Sequence, residues 1–438
     1  MTKREMTKKK MLLGRLGGCS LLALAALCGA GAARADDAGA PGLLGDWNGE
    51  RTRLQEDGLS FKLGFVAEGA YNPVGGDRHT FDQAGQLTLG TTADLDKLFG
   101  ISNAKLKVTI TKREGGNLND KADIPALQQV QEIYGRGNIW RLSEFSYDQT
   151  YFDDAVDLKF GRVNPGDDFA AFSCDFQNLT FCGAQPGNIA GGYWMNSPVG
   201  QWGTRLKLNA GKEVYVEAGA YQVSPRNTET GFALGPHGGT GALLPAEIGW
   251  SPDEALPGLY KIGGWYSTAD MSDLFFDVNR QPQVITGLPP LERNGSFGGY
   301  FNAKQQVTGE ANDPDKRGLT LFLNAVVADH NTVETDRQFA VGASYAGPFE
   351  SRPKDALGLA FGITHVSGRV ADGQEVQNAA GLTPVPVQKS EYASELDYQV
   401  QATNWLTLDP NLQYIREPGG TDDNHDAVVL GMRLAVTL

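Results

Sequence analysis

The chain has 438 residues, of which 41% are apolar, and a formal net charge of −14. Glycine accounts for 56 of the 438 residues, about 13% against an average near 7%. The mean hydropathy of −0.31 argues against a bundle of membrane-spanning helices, and the apolar share argues against a disordered chain. An acidic chain is a poor nucleic-acid binder, because contacts to phosphates need clustered lysines and arginines. A large secreted enzyme, an all-β binding protein and a membrane β-barrel remain.

The first 35 residues have the three parts of a secretory signal peptide. A start with six cations and one acid precedes a short apolar run over residues 21–33, and small residues surround the cleavage site. We therefore predict cleavage between Ala35 and Asp36. A membrane anchor is the alternative, but this run is too short for a helix that spans about 30 Å of hydrocarbon. Cleavage removes seven cations and one acid, which leaves a net charge of −20.

Two of the four cysteines, Cys174 and Cys182, remain in the mature chain. An even pair in an exported protein predicts one disulfide, with two free thiols as the alternative. The five histidines are scattered along the chain, without the ligand spacing of a zinc site. We therefore expect no metal and no cofactor.

Apolar and polar residues alternate with a period of two in many segments, which is typical of strands with one apolar face. In residues 104–113, for example, Leu106, Val108 and Ile110 share one face, and lysines and threonines share the other. There are sixteen such segments, and most have the roughly 9–13 residues of a tilted transmembrane strand. The predicted starts lie near Leu59, Ala84, Ala104, Ile139, Ala155, Trp202, Glu213, Gly241, Leu259, Phe297, Arg317, Phe339, Ala356, Ser390, Leu406 and Asp426.

The connections between these segments alternate between long and short. Short periplasmic turns and long extracellular loops are typical of outer-membrane barrels. The pattern therefore predicts an all-β fold, a sixteen-stranded antiparallel transmembrane β-barrel over residues 59–438. A secreted soluble all-β enzyme or lectin is the alternative. The long connections are predicted at residues 73–83, 114–138, 164–201, 224–240, 269–296, 329–337, 368–389 and 417–424.

Several stretches, in order along nearly all of the mature chain, resemble one known family. They include GDWNGERTRLQEDGLSF at 45–61, LKFGRVNPGDDFA at 158–170, QWGTRLKLN at 201–209 and LDPNLQYIREPGG at 408–420. This set resembles the carbohydrate-selective porins of the OprB type. The resemblance implies a short helix in a periplasmic segment over residues 36–58, which leads into the first strand. One departure is Leu438, because the last residue of such barrels is usually aromatic.

The resemblance also implies a function. The expected protein is a porin that lets sugars such as glucose diffuse passively through the outer membrane of a Gram-negative bacterium, and it is not an enzyme. A general or ion-selective diffusion porin is the alternative within this fold. Its expected partners are sugars, outer-membrane lipid and lipopolysaccharide, and either a monomer or a homotrimer is compatible with the family.

The phase of each strand predicts which side chains face the lumen. A sugar needs charged and neutral hydrogen-bonding groups, together with aromatic rings. The predicted lumen set mixes both signs of charge, which favours a neutral polyhydroxylated ligand over an ion. It contains Glu68, Arg113, Glu144, Lys159, Arg162, Arg205, Lys207, Glu217, Tyr221, Glu247, Lys261 and Trp265.

The longest predicted connection, residues 164–201, is expected to fold into the barrel and to narrow the pore. Long loops in compact proteins are usually functional, and this loop commonly folds inward in sixteen-stranded porins. Asp167 and Asp168, beside Arg162, are the leading loop candidates for the constriction, and the disulfide would stiffen it. An outward loop that the disulfide protects from proteases is the alternative.

Overall fold

The structure, a computed structural model, describes residues 42–438 apart from residues 233, 253–255, 311–312 and 314–316. The predicted signal peptide and the cleavage site at Ala35 and Asp36 lie outside the described residues. Sixteen antiparallel strands close into one barrel, in which each strand pairs with its neighbours in sequence and the first pairs with the last. The fold class that the sequence predicts is therefore confirmed.

The strands lie within a few residues of their predicted positions in most cases. In chain order they are β1 Leu59–Val74, β2 Phe81–Asp94, β3 Ala104–Gly115, β4 Trp140–Tyr151, β5 Val156–Val163, β6 Gln201–Ala210, β7 Val214–Val223, β8 Gly241–Trp250, β9 Gly258–Asp277, β10 Pro290–Gln306, β11 Gly318–Ala328, β12 Thr335–Ala346, β13 Ala356–Val366, β14 Ser390–Gln401, β15 Leu406–Arg416 and β16 Ala427–Thr437.

Side chains alternate across the barrel wall as the sequence predicts. The outward residues Phe160, Ile248 and Ile262 are 48%, 50% and 62% exposed, whereas the inward neighbours Glu247 and Lys261 are buried. An apolar outer band of this kind is the lipid-facing surface of a transmembrane barrel. Within the described part of the chain, no helix is long and apolar enough to cross a membrane.

Seven short α-helices occur among the described residues, the first before β1 and the other six in the connections. Because α1 falls within residues 36–58, its position agrees with the short helix that the resemblance implies. The sequence did not predict α7, which occupies the connection between β13 and β14. The helices are α1 Glu50–Glu56, α2 Leu95–Phe99, α3 Leu118–Ala122, α4 Gln185–Ile189, α5 Arg226–Glu229, α6 Gln283–Thr286 and α7 Gly368–Ala379.

Two predicted loops are shorter than expected. The β9–β10 ladder continues through the pairs Asp270–Asn294 and Ser272–Glu292, so β10 begins at Pro290 and not near Phe297. The β1–β2 connection likewise shrinks to residues 75–80. In the β9–β10 hairpin these added pairs join polar residues, so the alternating apolar pattern of the sequence ends before the strand pairing does.

The first and last strands meet where the barrel closes. Gly64 of β1 pairs with Thr437 of β16, and the amide of Leu438 donates a hydrogen bond to the carbonyl oxygen of Leu63 at 3.0 Å. Arg51 of α1 donates from Nη1 to the carbonyl oxygen of Leu438 at 3.1 Å. The last strand is thus paired to its end, although its final residue is not aromatic.

Candidate functional site

The loop between β5 and β6, called L3 here (residues 164–200), crosses the lumen. The amide of Ala170 donates to Oε2 of Glu247 on β8 at 2.7 Å. Farther along, the amides of Gln177 and Asn178 donate to the two carboxylate oxygens of Glu395 on β14, each at 2.8 Å. In the strand order β14 stands opposite β6, so the loop spans the barrel. The prediction that this loop folds inward is confirmed.

The middle of L3 is a compact turn. Cys174 and Cys182 form a disulfide, and Arg433 of β16 donates from Nη1 to the carbonyl oxygen of Cys174 at 2.8 Å. Within the turn, the ring of Phe176 packs 5.6 Å from that of Phe181 and 5.8 Å from that of Phe322 on β11. Covalent, polar and apolar contacts therefore fix this turn in place.

The end of L3 is held by an aromatic cluster. Trp194 is fully buried, and its ring centroid lies 5.4 Å from that of Trp265 on β9 and 6.3 Å from that of Tyr300 on β10. Trp265 also donates from Nε1 to the hydroxyl of Tyr193 at 3.1 Å. Edge-to-face packing is favourable for buried aromatic rings. The indole N–H of Trp265 has a hydrogen-bond partner, whereas that of Trp194 donates to none of the described residues.

A second loop, called L2 here (residues 116–139), also turns inward, and the sequence analysis did not predict this. The amide of Ile133 donates to Oε2 of Glu68 at 3.2 Å, and the amide of Leu127 donates to Oε2 of Glu391 at 2.6 Å. The sequence offers one signal, which is the number of apolar residues in this predicted extracellular loop. Leu118, Ile124, Val130 and Ile133 are all buried.

L2 and L3 join each other across the lumen. The amide of Glu132 donates to the carbonyl oxygen of Gln177 at 3.0 Å, and the amide of Leu179 donates to that of Gln129 at 2.9 Å. The fully buried side chain of Gln177 donates to the carbonyl oxygen of Val130 at 3.2 Å. The two loops thus form one constriction.

The constriction leaves a cavity of 580 Å³, a volume typical of small-molecule sites. Its lining combines both signs of charge, side-chain amides and two aromatic rings. The side chains that carry this chemistry are Gln86, Arg113, Gln129, Glu132, Tyr134, Arg136, Asp167, Phe172, Asn188 and Asn196.

Two of the predicted site residues, Arg113 and Asp167, line this cavity. Arg113 donates from Nε to Oε1 of Gln86 at 2.7 Å. Asp167 is exposed to the lumen, but protein encloses its carboxylate on the other sides. This enclosure disfavours the charged form and raises the pKa of Asp167 to about 6.

A second group of predicted residues holds L2 and L3 against the wall. Lys261 donates from Nζ to the carbonyl oxygen of Ala171 at 2.9 Å, and Tyr221 donates to Oδ2 of Asp168 at 3.3 Å. The alternation along a strand predicts that such a residue points inward, but it does not predict that a loop covers the residue. The group comprises Glu68, Lys159, Tyr221, Glu247, Lys261 and Trp265 on strands and Asp168 in L3.

The remaining predicted residues belong to the wall outside the cavity. Glu144 accepts a hydrogen bond from the Ser146 hydroxyl at 2.9 Å, and Arg162 is fully buried. Arg205 lies 3.8 Å from the carboxylate of Glu217, and Nζ of Lys207 lies 3.6 Å from the ring centroid of Tyr215. The structure does not bring these residues to the cavity between L2 and L3.

Among the described residues, one group of His, Cys, Asp and Glu side chains has the spacing of a metal site: Glu132, Cys174 and Cys182. The two cysteines are joined in the disulfide, so this group offers no thiolate.

Residues 78–438 match the carbohydrate-selective porin family, OprB. The chain belongs to this family. It is 44% identical to Porin B of Pseudomonas aeruginosa over 448 aligned residues, which cover 98% of each chain. It is a carbohydrate-selective porin of the Gram-negative outer membrane, and the resemblance found in the sequence is confirmed.

Two solved structures of OprB from Pseudomonas putida show the same barrel. The high-pH structure is 41% identical with a TM-score of 0.88, and the alignment covers 91% of this chain and 99% of that one. The low-pH structure aligns over the same shares with 30% identity and a TM-score of 0.59. The carbohydrate-selective porin described here is thus more similar to the high-pH structure.

Proposed function

We propose that this porin passes glucose or similar mono- and disaccharides passively, with no catalytic step, and that the constriction binds them in transit. The observation that carries this proposal is the lining of the 580 Å³ cavity, where both signs of charge meet amides and aromatic rings. A sugar presents hydroxyls that donate and accept at once, together with apolar ring faces, and this lining matches that chemistry.

The lining groups suggest separate roles. The carboxylates of Asp167 and Glu132 would accept hydrogen bonds from hydroxyls, and the guanidinium of Arg113 would donate to them. The ring of Phe172 would stack on the apolar face of the sugar.

The test is block of single-channel ion current by glucose. We expect glucose to reduce the current, because it occupies the path of the ions. Arg113→Gln should weaken the block about tenfold, the effect of one lost hydrogen bond to a charged group. Glu144→Gln is the matched control, since Glu144 does not line the cavity. Current that glucose leaves unchanged in the wild type would favour a general or ion-selective pore.

Three further expectations remain proposals. Residues 1–35 would be removed as a signal peptide, and residues 36–58 would lie in the periplasm. The apolar outer band would contact lipid and lipopolysaccharide. Because the barrel closes within one chain, each chain has its own pore in either a monomer or a homotrimer.

A further inference from the structure

A second cavity of 340 Å³ opens in the wall formed by β3, β4, β5 and β6, and it shares no lining residue with the constriction. Its side chains face the lumen, since the neighbouring residues Phe160 and Leu206 face outward and are exposed. Asn103 and Asp154, which belong to the short turns, are part of the lining. Short turns mark the periplasmic end of such barrels, so this cavity lies near the periplasmic mouth.

The lining of this cavity carries nearly balanced charge. Arg205 donates from Nη1 to Oδ2 of Asp157 at 2.9 Å, and Lys107 forms an ion pair with Asp148. Balanced pairs attract neither anions nor cations strongly, and they offer donors and acceptors side by side. The charged members are Lys105, Lys107, Lys159 and Arg205 with Asp148, Asp154 and Asp157.

One polar atom of this lining has no partner among the described residues. Oδ1 of Asp148 is buried and accepts no hydrogen bond from them, while Oδ2 of the same carboxylate pairs with Lys107. Nε of Arg205 is also buried, but it lies 3.7 Å from Oδ1 of Asp168. Buried polar atoms normally have a partner. An anion would be repelled by Asp148, whereas a hydroxyl group can donate to it and accept from a lysine of the lining.

We propose that this cavity is a second sugar site, which holds one monosaccharide unit on the periplasmic side of the constriction. The proposal rests on the proposed function, because it assumes that sugars pass through the pore. The two sites are adjacent: Lys159 of this cavity binds Asp168 at 2.5 Å, next to Asp167 of the constriction. Transport requires binding that is weak or divided among several sites, so that the solute can leave.

The test uses single channels of known orientation, with glucose added to one side at a time. Asp148→Asn keeps the shape of the side chain and removes its charge. We expect the rate of glucose entry from the periplasmic side to fall about tenfold, as for one lost hydrogen bond to a charged group. Entry from the extracellular side should change little. Lys62→Gln, which removes a charge from the inner face of β1 outside the cavity, is the matched control.

Lys105→Gln is a second variant for the case in which Asp148→Asn does not fold, because Lys105 is exposed at the rim of the cavity. This variant should also lower the rate of glucose entry from the periplasmic side. An unchanged periplasmic rate in the folded variants, or an equal fall from both sides, would overturn the second site and leave the constriction intact. Absence of glucose block from either side in the wild type would overturn both proposals.

Discussion

At the scale of single residues, the constriction depends on the difference between side chains that are covered and those that are open. Glu68 and Asp167 are both acids that the sequence places in the pore. Glu68 is fully buried and accepts the amide of Ile133, whereas Asp167 faces the water of the lumen. Of these two acids, only Asp167 is in a position to change the charge that a passing solute meets.

We expect the charge of Asp167 to make ion selectivity depend on pH. Because its pKa is raised to about 6, the carboxylate is charged above that pH and neutral below it. The preference for cations should fall as the pH drops through about 6, and Asp167→Asn should remove this step. Reversal potentials in a salt gradient measure the effect. Asp423→Asn, in an exposed loop, is the control. If the change in ion selectivity near pH 6 persists in Asp167→Asn, another group is responsible for it.

The same raised pKa has a consequence for stability. The folded pore binds this proton more tightly than the unfolded chain, whose aspartates titrate near 3.9. The contribution of this site to the free energy of unfolding is therefore fully present below that value and is lost as the pH rises through about 6.

At the scale of elements, L3 is held by carboxylates that accept backbone amides. Glu395 accepts two of them, one on each oxygen, and Glu247 accepts one together with the hydroxyls of Tyr215 and Tyr300. A buried amide that loses its acceptor costs about 1–3 kcal/mol. The position of the constriction is therefore sensitive to single anchoring residues.

Glu395→Gln should loosen L3, because the carbonyl oxygen of the new amide can accept one backbone amide, whereas its NH2 group cannot accept the other. We expect larger and noisier single-channel conductance, together with weaker glucose block. Asp372→Asn on the exposed face of α7 removes the same charge far from L3 and is the control. Conductance equal to that of the wild type would mean that the disulfide and Arg433 suffice to hold the loop.

A glycine in the wall gives L3 the space to approach. A Cβ at Gly362 on β13 would lie 2.5 Å from Cγ2 of Thr180 in L3, which is too close. Gly362→Ala should therefore displace the loop and weaken glucose block several-fold. Gly64→Ala is a matched control, because its nearest neighbour would be at 3.4 Å, an ordinary contact. Equal block in the two variants would show that L3 adjusts without consequence.

At the scale of the whole molecule, stability depends on closing the seam between β1 and β16. Arg51 supports this seam, since it donates to the carbonyl oxygens of Leu438 and of Phe61. Both acceptors lie at the ends of strands that are distant in sequence. The segment before the first strand therefore acts as part of the barrel closure.

We expect Arg51→Ala to lower the free energy of unfolding by about 1–2 kcal/mol, the net value of these hydrogen bonds. The heat-dependent shift from folded to unfolded gel migration measures it. Arg53→Ala on the same helix is the control, because Arg53 pairs only within its own segment, with Glu50 and Asp57. If the shift in gel migration has the same midpoint temperature in the two variants, Arg51 has no role in closing the barrel.

The sequence predicted the strands well because alternation is a local property. Each position along a strand faces either lipid or the lumen. The apolar Ile262 faces outward and the charged Lys261 beside it faces the lumen, so the residue type indicates the side. The length of the β9–β10 hairpin was underestimated, since pairs of polar residues such as Asp270 and Asn294 continue the ladder without an apolar signal. The inward turn of L2 was missed, although several apolar residues of this loop, including Leu118, Ile124, Val130 and Ile133, are buried.

The sequence by itself determined the barrel, its strand count, the family and the inward path of L3. Only the tertiary structure decided which inward residues meet the solute, because L2 and L3 cover half of the predicted lumen set. Those contacts join residues far apart in the chain, as between Gln177 and Glu395, which are 218 positions apart. Whether a side chain faces lipid or the lumen follows from the residues next to it in sequence. Whether a loop then buries it depends on segments that are distant in sequence.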